Sequence, residues 1–260
     1  MKILVCVKPG VPADQTLVLD ESKRWIIPYS DNNLAQLGRY DEIAIEQALI
    51  LKDSINGAVA DVLTFGAPET SVILRRALGM GADNAILVIN RLKGYVSASV
   101  TAKFIVNAIG GQHYDLILSG ALSEDLAQGL VGPTIAEALN IPCVTSCKSL
   151  TIDKDRSVLV AKRDVEGARL QIVELRFPAL ATIQACLNKP RYPSLSNIMR
   201  ANNSEIEFVE LVSEPENKSD VELVGLKYPV MSRSIEFLSG SSREKALTLA
   251  SLLRKRALLA

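Results

Sequence analysis

An α/β fold with a doubly wound, mostly parallel sheet is predicted by three features of this sequence. Segments rich in β-formers alternate with amphipathic segments about five times, at intervals of about 25–30 residues, as right-handed βαβ crossovers require. Residues 2–7, KILVCV, form an unbroken apolar run that is typical of a strand buried on both faces. After residue 147 the amphipathic segments cease for some 40 residues, which predicts an antiparallel addition to the sheet.

The alternating part begins with short, well-punctuated segments. Residues 16–27 predict a hairpin around Asp20, because two β-rich runs flank a polar turn. Residues 41–53 predict a helix in which Asp41 is placed to cap the N-terminus. The remaining strands and helices of this part are expected at 59–66, 69–83, 84–89, 97–109, 114–120, 128–139 and 141–146.

The region after residue 147 has a different organisation. Four β-rich segments with turns between them are expected to form the antiparallel addition, at 147–153, 157–164, 168–175 and 178–185. A proline-bearing segment and a polar linker follow. The last part, GSSREKALTLASLLRKRALLA, predicts an amphipathic helix with a serine cap and an apolar stripe that includes Leu249 and Leu253. Its residues alone leave open whether this helix packs on its own domain or on another subunit.

Composition and charge argue against several classes of protein. Lys+Arg and Asp+Glu are balanced at 29 each, which disfavours a nucleic-acid partner. The single histidine, His113, argues against a multi-histidine metal site and a Ser-His-Asp triad, so no catalytic and no metal-binding residue is predicted. The four cysteines are interpreted as reduced core residues of an intracellular protein. Without a signal peptide or a long apolar run, a bacterial cytoplasmic location is expected.

A ligand site is predicted at the carboxyl ends of the strands, where open α/β sheets bind their ligands. These ends are Cys6–Pro9, Phe65–Gly66 and Gly120. The loop after Gly120 offers polar groups at Ser123, Asp125 and Gln128, and it leads into a helix whose N-terminus favours phosphate. The glycines of this loop fit a second interpretation equally well, a tight turn that binds nothing. Because no nucleophile or general base accompanies the loop, a bound nucleotide would be structural or a redox carrier.

Several segments of the chain together resemble the beta subunit of electron transfer flavoprotein. ILVCVKPG, GRYDEIAIEQALILK, ALGMGADNAILV and the loop within 116–139 match the order and spacing of that family. The most specific matches are VAKRDVEGARLQIVELRFPALATI at 160–183 and LNKPRYPSLSNIMRA at 187–201. The resemblance extends over residues 1–205.

The resemblance implies a non-enzymatic electron carrier. The chain would pair with an alpha subunit and pass electrons from flavin dehydrogenases, such as the acyl-CoA dehydrogenases of fatty acid beta-oxidation, to a quinone-linked oxidoreductase. The FAD would be shared with the alpha subunit, and this chain would bury AMP. In the alternative, electron-bifurcating type, the same pocket holds a second FAD and NADH is oxidised there.

Site residues follow from the resemblance position by position. The implied nucleotide pocket comprises Cys6, Gly38, Arg39, Tyr40, Asp41, Phe65, Gly66, Gly120, Ser123, Asp125, Gln128, Gly129, Leu130 and Val131. Asp164 would face the flavin domain of the alpha subunit. Leu195 would anchor a docking loop in the dehydrogenase, with Arg200 on the helix behind it, although Leu195 could also simply cover the sheet. Arg191 is interpreted as pinning that loop to an acidic residue.

The expected organisation therefore has three parts. Residues 1–190 form a nucleotide-binding α/β domain of the Rossmann-like kind, residues 191–205 a partner-recognition loop and helix, and residues 206–260 a linker and a C-terminal helical arm that packs against the alpha subunit.

Three positions depart from the pattern of the family. Gly38-Arg39 replaces the usual Asn-Pro and could bring a guanidinium to the phosphate. Residues 123–126 read Ser-Glu-Asp-Leu, where the bifurcating type has Asp-Gly-Asp-Thr, and this favours AMP over a second FAD. Asn202-Asn203 replaces a lysine-rich stretch, which changes the charge offered to a dehydrogenase.

Overall fold

The computed structural model describes residues 1–10, 17–21, 26–28, 36–92, 94–167, 169–210, 221–228, 235, 237–256 and 258. Contacts divide the chain into two units, Met1–Leu226 and Lys227–Ala260. Trp25 of the predicted hairpin lies outside the described residues. Two short strands of that hairpin are described and pair antiparallel, as expected.

The first unit contains thirteen strands among its described residues. They are β1 Lys2–Val7, β2 Pro9–Gly10, β3 Leu17–Leu19, β4 Ile26–Pro28, β5 Gln36–Leu37, β6 Val59–Gly66, β7 Asn84–Ile89, β8 Leu116–Gly120, β9 Cys143–Asp153, β10 Val158–Val165, β11 Arg169–Arg176, β12 Ala179–Ile183 and β13 Glu207–Val209. Its helices are α1 Arg39–Ser54, α2 Ser71–Met80, α3 Ala98–Ile109, α4 Val131–Ala138 and α5 Leu195–Asn203, and the short 3₁₀-helix Pro68–Thr70 precedes α2.

Nine of these strands form one sheet in the order β11-β10-β9-β12-β8-β1-β6-β7-β13. The pairs from β9 through β12, β8, β1, β6 and β7 to β13 are parallel. The pairs β9-β10 and β10-β11 are antiparallel. The sheet is therefore mostly parallel with an antiparallel addition at one side, which confirms the predicted fold class.

Helices cover both faces of this sheet, because the buried strands are apolar on both faces. In β1, Ile3 and Val5 pack with residues of α1 and α2, whereas Leu4 and Cys6 pack with residues of α3 and α4. Helices α1 to α4 reach the sheet through apolar side chains at helical spacing, such as Leu74 and Leu78 of α2. This arrangement is the doubly wound architecture that the alternation of segments predicts.

The last predicted strand of the antiparallel addition is placed differently by the structure. β12 lies between β8 and β9 and is parallel to both, so it belongs to the core of the parallel sheet. All five of its residues are buried. Turn-separated β segments suggested an antiparallel neighbour, but the continuous apolar run ALATI is the pattern of a central parallel strand.

The strand before it is longer than predicted. The expected segments 141–146 and 147–153 merge into β9, an 11-residue strand. Its first half pairs with β12 and its second half with β10, with an irregular register near Cys147 and a positive φ at Ser146. One irregular strand thus joins the parallel sheet to the antiparallel addition.

The sheet extends into the segment predicted to be a linker. β13 pairs with β7 at the edge of the sheet, although residues 206–260 were expected to be linker and arm. Contacts place the division after Leu226, so the first part of the stretch expected as linker and arm belongs to the α/β unit.

The cysteines are only partly core residues, contrary to expectation. Cys6 and Cys147 are buried, but Cys143 and Cys186 are exposed, and all four are free thiols. Cys143 begins β9 and Cys186 follows β12, and at strand ends an apolar sequence context does not ensure burial.

The second unit contains one described helix, α6, Ser242–Lys255. Ser241 and Glu244 form a capping box, and Arg254 and Lys255 lie in the last turn, as the sequence predicts. None of the described helices in the chain is long and apolar enough to cross a membrane.

Candidate functional site

A cavity of about 520 Å³ lies at the carboxyl ends of β1, β6, β7 and β8. It is bordered by Cys6 and Ser119 from strands and by Ala98 and Val131, the first residues of α3 and α4. Small-molecule and cofactor sites span about 300–1,000 Å³, so the cavity falls in the lower half of that range. Its position is the crevice in which open α/β sheets bind ligands.

Ten of the fourteen predicted pocket residues line this cavity. They are Cys6, Asp41, Phe65, Gly66, Gly120, Ser123, Asp125, Gln128, Gly129 and Val131. Gly38, Arg39, Tyr40 and Leu130 lie outside the wall. Arg39 is exposed to solvent at the start of α1, so the structure does not bring its guanidinium to the cavity.

Asp41, on α1, connects this helix to the ends of β1 and β8 at the base of the cavity. It does not cap α1 as expected, because the helix begins after Gly38 and has no side-chain cap. Its Oδ2 accepts the backbone N–H of Lys8 at 2.8 Å, and its Oδ1 accepts that of Gly120 at 3.0 Å. Burial raises the pKa of Asp41 to about 7, against the opposing effect of these two hydrogen bonds. The carboxyl group ties the ends of β1 and β8 together.

The glycines of the site are explained first by packing. A Cβ on Gly120 would lie 2.4 Å from Asp41 Oδ1 and 2.8 Å from Tyr40 Cβ. A Cβ on Gly129 would lie 2.5 Å from the carbonyl oxygen of Ala121, and one on Gly132 2.6 Å from Ser119 Oγ. At these positions the missing side chain makes room for protein atoms, which is the tight-turn interpretation, while the backbone still borders the cavity.

Cys6 contributes a neutral, buried thiol. Burial, with a smaller contribution from Asp41, raises the pKa of Cys6 to about 12. A thiol with such a pKa stays protonated and is not an activated nucleophile. Next to it, Phe65 stacks on Phe104 with ring centroids 4.7 Å apart. This side of the cavity is apolar.

The loop after β8 carries the polar groups. Ser123 shapes this loop, since its N–H donates to the carbonyl oxygen of Gln128 at 2.9 Å and its carbonyl oxygen accepts from Ala127 at 2.8 Å. Gln128 Nε2 donates to the hydroxyl of Tyr95 at 3.3 Å. Asp125 accepts two hydrogen bonds from the Lys8 ammonium group, at 2.7 and 2.9 Å. Two helix N-termini, those of α3 and α4, border the same space, and α4 has no side-chain cap.

Sequence reasoning missed the contribution of the segment after β7. Asn90, Leu92, Val96 and Thr101 line the cavity, as does Lys8, which lies within the predicted strand end Cys6–Pro9. Asn90 follows a buried strand just as Phe65 and Gly120 end theirs, so the strand-end rule would have found it if it had been applied to β7.

The predicted partner-binding residues lie outside the cavity. Asp164 is on β10, where it pairs with the Lys148 ammonium group and stands opposite Leu170 of β11. Leu170 and Ile172 are exposed on one face of β11. Leu195 is 74% exposed at the start of α5, and Arg200 is exposed in its last turn.

The segment that carries Leu195 is fixed to α1 by a buried acid. The Arg191 guanidinium donates to both oxygens of Glu46 at 2.9–3.1 Å, and Arg191 N–H adds a bond at 2.9 Å. Arg191 also contacts Asp53 at 3.0 Å. The prediction that Arg191 pins this loop to an acidic residue is confirmed.

The fold and the strand-end cavity define a Rossmann-like α/β protein with a candidate nucleotide site. The family model for the electron transfer flavoprotein domain matches residues 28–214. Electron transfer flavoprotein subunit beta of Bacillus subtilis is 32% identical over 99% of each chain. That of Clostridium acetobutylicum is 33% identical over 92% of this chain and 90% of its own. The caffeyl-CoA reductase-Etf complex subunit CarD of Acetobacterium woodii is 34% identical over 79% and 77%, respectively.

The chain therefore belongs to the electron transfer flavoprotein beta subunit family, which confirms the resemblance. Members of this family act as electron-transfer subunits of flavoproteins, and a beta subunit implies an alpha-subunit partner.

Proposed function

We propose that this chain is an electron carrier subunit that buries AMP in the cavity at the strand ends and shares an FAD with its alpha subunit. It receives electrons from a flavin dehydrogenase of the acyl-CoA type and passes them to a quinone-linked oxidoreductase. The observation that carries the proposal is the cavity itself, in which ten residues of the implied nucleotide pocket come together.

Three properties of the cavity support a mononucleotide. Apolar side chains such as Phe65 and Val96 can cover a base, while the polar loop at Ser123–Gln128 faces the same space. Two helix N-termini favour an anion there. The volume of about 520 Å³ suits a mononucleotide better than an extended dinucleotide.

The residues on the wall are suited to hold a ligand and not to transform it. Cys6 is protonated because its pKa is raised by burial, and the Asp41 carboxyl already accepts two backbone N–H groups. When bound, the flavin supplies the redox chemistry, and the chain supplies position and environment.

Two exposed surfaces support the proposed partners. Leu195 projects from a segment that Arg191 fixes to α1, so an anchor at this position loses little conformational entropy on docking. Asp164 stands beside the exposed Leu170, and a charge next to an apolar side chain suits a polar contact with the flavin domain of the alpha subunit.

The nucleotide content of the purified heterodimer tests the proposal. Release by acid and chromatography should give one FAD and one AMP per heterodimer. Two FAD, together with reduction by NADH, would overturn the assignment of AMP and establish the bifurcating alternative. An Asp41→Asn heterodimer should retain less AMP and the same FAD, because an amide has one acceptor oxygen for the two backbone N–H groups that Asp41 holds at the cavity.

Removal of residues 231–260 tests the proposed C-terminal arm. We expect the shortened chain to assemble less tightly with the alpha subunit, because the apolar stripe of α6 at Leu249 and Leu253 would pack on that partner. Size-exclusion chromatography of mixtures at falling concentration measures the loss. An unchanged heterodimer would refute a role for the arm.

A further inference from the structure

Helix α5, which carries Leu195, has a very small buried face. Ala201 is the one buried residue among the nine described residues of this helix, whereas α1 buries nine of its 16 residues. A helix of this length is marginally stable on its own, and burial of a single alanine adds little apolar stabilisation. The position of α5 on the α/β unit therefore depends on contacts other than apolar packing.

A guanidinium group from the neighbouring helix supplies such contacts at the end of α5. Arg75 lies on α2, and its Nη1 donates to the carbonyl oxygens of Ala201 at 2.8 Å and Asn202 at 2.9 Å. The carbonyl oxygen of Ser204 lies 3.3 Å from the same nitrogen. A helix leaves its last carbonyl groups without intrahelical partners, and a cation there also complements the negative end of the helix dipole. Arg75 thus caps α5 from another helix.

The same face of α2 brings the backbone of this segment close. Gly79 lies one turn after Arg75, and a Cβ on Gly79 would lie 3.4 Å from Pro193 Cβ and 3.9 Å from Ala201 Cβ. Pro193 and Ala201 flank Leu195 in the chain. Helix α2 therefore supports the segment on both sides of the proposed anchor.

The proposed docking segment, residues 191–205, is thus attached near both ends by arginine contacts. Arg191 attaches its start to Glu46 of α1, and Arg75 attaches its end to α2. Between these contacts, Leu195 and Met199 are 74% and 63% exposed and lie about one turn apart on α5. Apolar side chains that are held in this way bind a partner with little loss of conformational entropy.

We propose that Arg75 is a positioning residue for dehydrogenase docking, which caps α5 and so holds Leu195 and Met199 in the orientation that the dehydrogenase binds. This inference rests on the proposed function, because it presupposes that the segment docks on a flavin dehydrogenase. Without the cap, α5 frays at its C-terminus and populates further orientations. The apparent affinity for the dehydrogenase then falls in proportion to the fraction of heterodimers that keep the docking orientation.

Steady-state electron transfer from a purified acyl-CoA dehydrogenase, with the heterodimer as the varied acceptor, tests the proposal. Arg75→Met should raise KM for the heterodimer about five- to tenfold and leave kcat within about twofold, because only the docking orientation is lost. Arg75→Lys keeps the charge without the planar fork of donors and should give an intermediate KM. A wild-type KM in Arg75→Met, or a loss confined to kcat, would overturn the proposal.

Two further measurements separate positioning from a general loss of stability. In the Arg75→Met heterodimer, hydrogen exchange should be faster at the amides of α5 and unchanged in the central strands β1 and β8. In a Leu195→Ala background, Arg75→Met should raise KM by a smaller factor than it does alone, because the anchor that it positions is gone. Fully additive effects would show that Arg75 does not act through Leu195.

Lys154→Met is the matched control. Lys154 lies in the turn after β9 and donates to the carbonyl oxygen of Ser54, the last residue of α1, at 2.8 Å. It therefore also caps a helix from another element. Its loss should leave KM and the hydrogen exchange of α5 unchanged. Equal increases of KM in Lys154→Met and Arg75→Met would show that the effect is not specific to the position of α5.

The outcomes distinguish this inference from the proposed function. If the wild-type heterodimer accepts no electrons from the acyl-CoA dehydrogenase, or if Leu195→Ala accepts them as the wild type does, the proposed docking role fails and the inference fails with it. If Leu195→Ala is impaired but Arg75→Met is not, the inference alone is wrong. If Arg75→Met does not assemble, Arg75→Lys decides, because a wild-type KM in that variant overturns the role of the guanidinium group.

Discussion

Helix α1 carries two buried acidic residues, Asp41 and Glu46, and their carboxyl groups have different hydrogen-bond partners. Asp41 faces the cavity, and its carboxyl group accepts backbone N–H groups from Lys8 and Gly120. Glu46 faces the proposed docking segment, residues 191–205, and accepts both the guanidinium and the backbone N–H of Arg191. Only the second acid has a cation in direct hydrogen-bond contact.

The difference shows how one helix contributes both to a candidate binding site and to the support of a neighbouring loop. Without a contacting cation, burial dominates at Asp41 and raises its pKa to about 7, so the charge at the base of the cavity depends on pH near neutrality. The bidentate contact with Arg191 fixes a loop instead, because planar groups that meet in two hydrogen bonds restrict orientation. The cavity therefore has a titratable carboxyl group, whereas the docking segment is held on α1 by the contact between Arg191 and Glu46.

The pH dependence of stability gives the largest expected effect. The folded-state pKa of Asp41 is about 7, raised from the ordinary 3.8, so between these pH values the folded chain holds a proton that the unfolded chain releases. Stability should therefore fall as pH rises through this interval, by on the order of 4 kcal/mol in total. Asp41→Asn should remove this slope, measured by urea unfolding at several pH values.

The control for this experiment is Asp155→Asn, which changes an exposed turn residue. Its stability should depend on pH in the same way as that of the wild type. If the Asp41→Asn variant keeps the wild-type slope, the carboxyl group does not titrate as its burial demands. The absence of a contacting cation at Asp41 would then make no measurable difference between Asp41 and Glu46.

Loss of the arginine contact should have the next largest effect. Arg191→Met leaves Glu46 buried without its cation, which costs about 3 kcal/mol, the lower end for buried pairs, since the guanidinium itself is 38% exposed. Arg156→Met is the control, since it removes an exposed bidentate contact with Glu174. Its melting temperature should be close to that of the wild type. Equal melting temperatures for the two variants would show that burial of Glu46 does not matter.

Crowding at the cavity gives a smaller effect. Gly120→Ala forces a Cβ against Asp41 and Tyr40, and overpacking of this kind costs about 1–3 kcal/mol. Gly10→Ala serves as the control, because its nearest neighbour would be 3.6 Å away and Gly10 also lines the cavity. Chemical denaturation of both variants makes the comparison. A Gly120→Ala variant as stable as the wild type would show that Asp41 and β8 can move apart to accept the added Cβ.

The smallest expected change in stability is at the docking segment itself. Leu195→Ala should alter the free energy of unfolding by less than about 0.5 kcal/mol, because this side chain is exposed. Electron acceptance from the dehydrogenase should nevertheless become at least about 10-fold less efficient, as for a central anchor. Phe208→Ala, another exposed apolar position, is the control. Similar losses of electron acceptance in both variants would show that Leu195 is not a specific anchor for the dehydrogenase.

Much of the fold follows from local pattern, and the exceptions have one cause. The runs 2–7, 59–66 and 84–89 were predicted to the residue, since buried parallel strands are continuous apolar segments. β12 has the same pattern, but its neighbours in the sequence are antiparallel strands, and sequence order suggested the wrong partners. Pairing between strands distant in the chain cannot be seen in local periodicity.

The site shows the same division. Cys6, Phe65 and Gly120 were found because they lie at the ends of buried strands, and Ser123 and Asp125 because they are polar groups of the loop after Gly120. Lys8 lay within the predicted strand end Cys6–Pro9, but its ion pair with Asp125 was not predicted, because a lone lysine carries no pattern of its own. Its partner Asp125 lies 117 positions away.

The sequence by itself determined the alternation of strands and helices, the family and the strand ends where a ligand would bind, because these depend on short-range spacing and on motifs. Only the tertiary structure decided which side chains share a space. Asp41 was expected to cap its own helix, and the fold instead directs it to the backbones of Lys8 and Gly120. Burial and hydrogen bonding are properties of the packed chain, so the pKa of Asp41 and the pairing of Lys8 with Asp125 emerge only when distant segments meet.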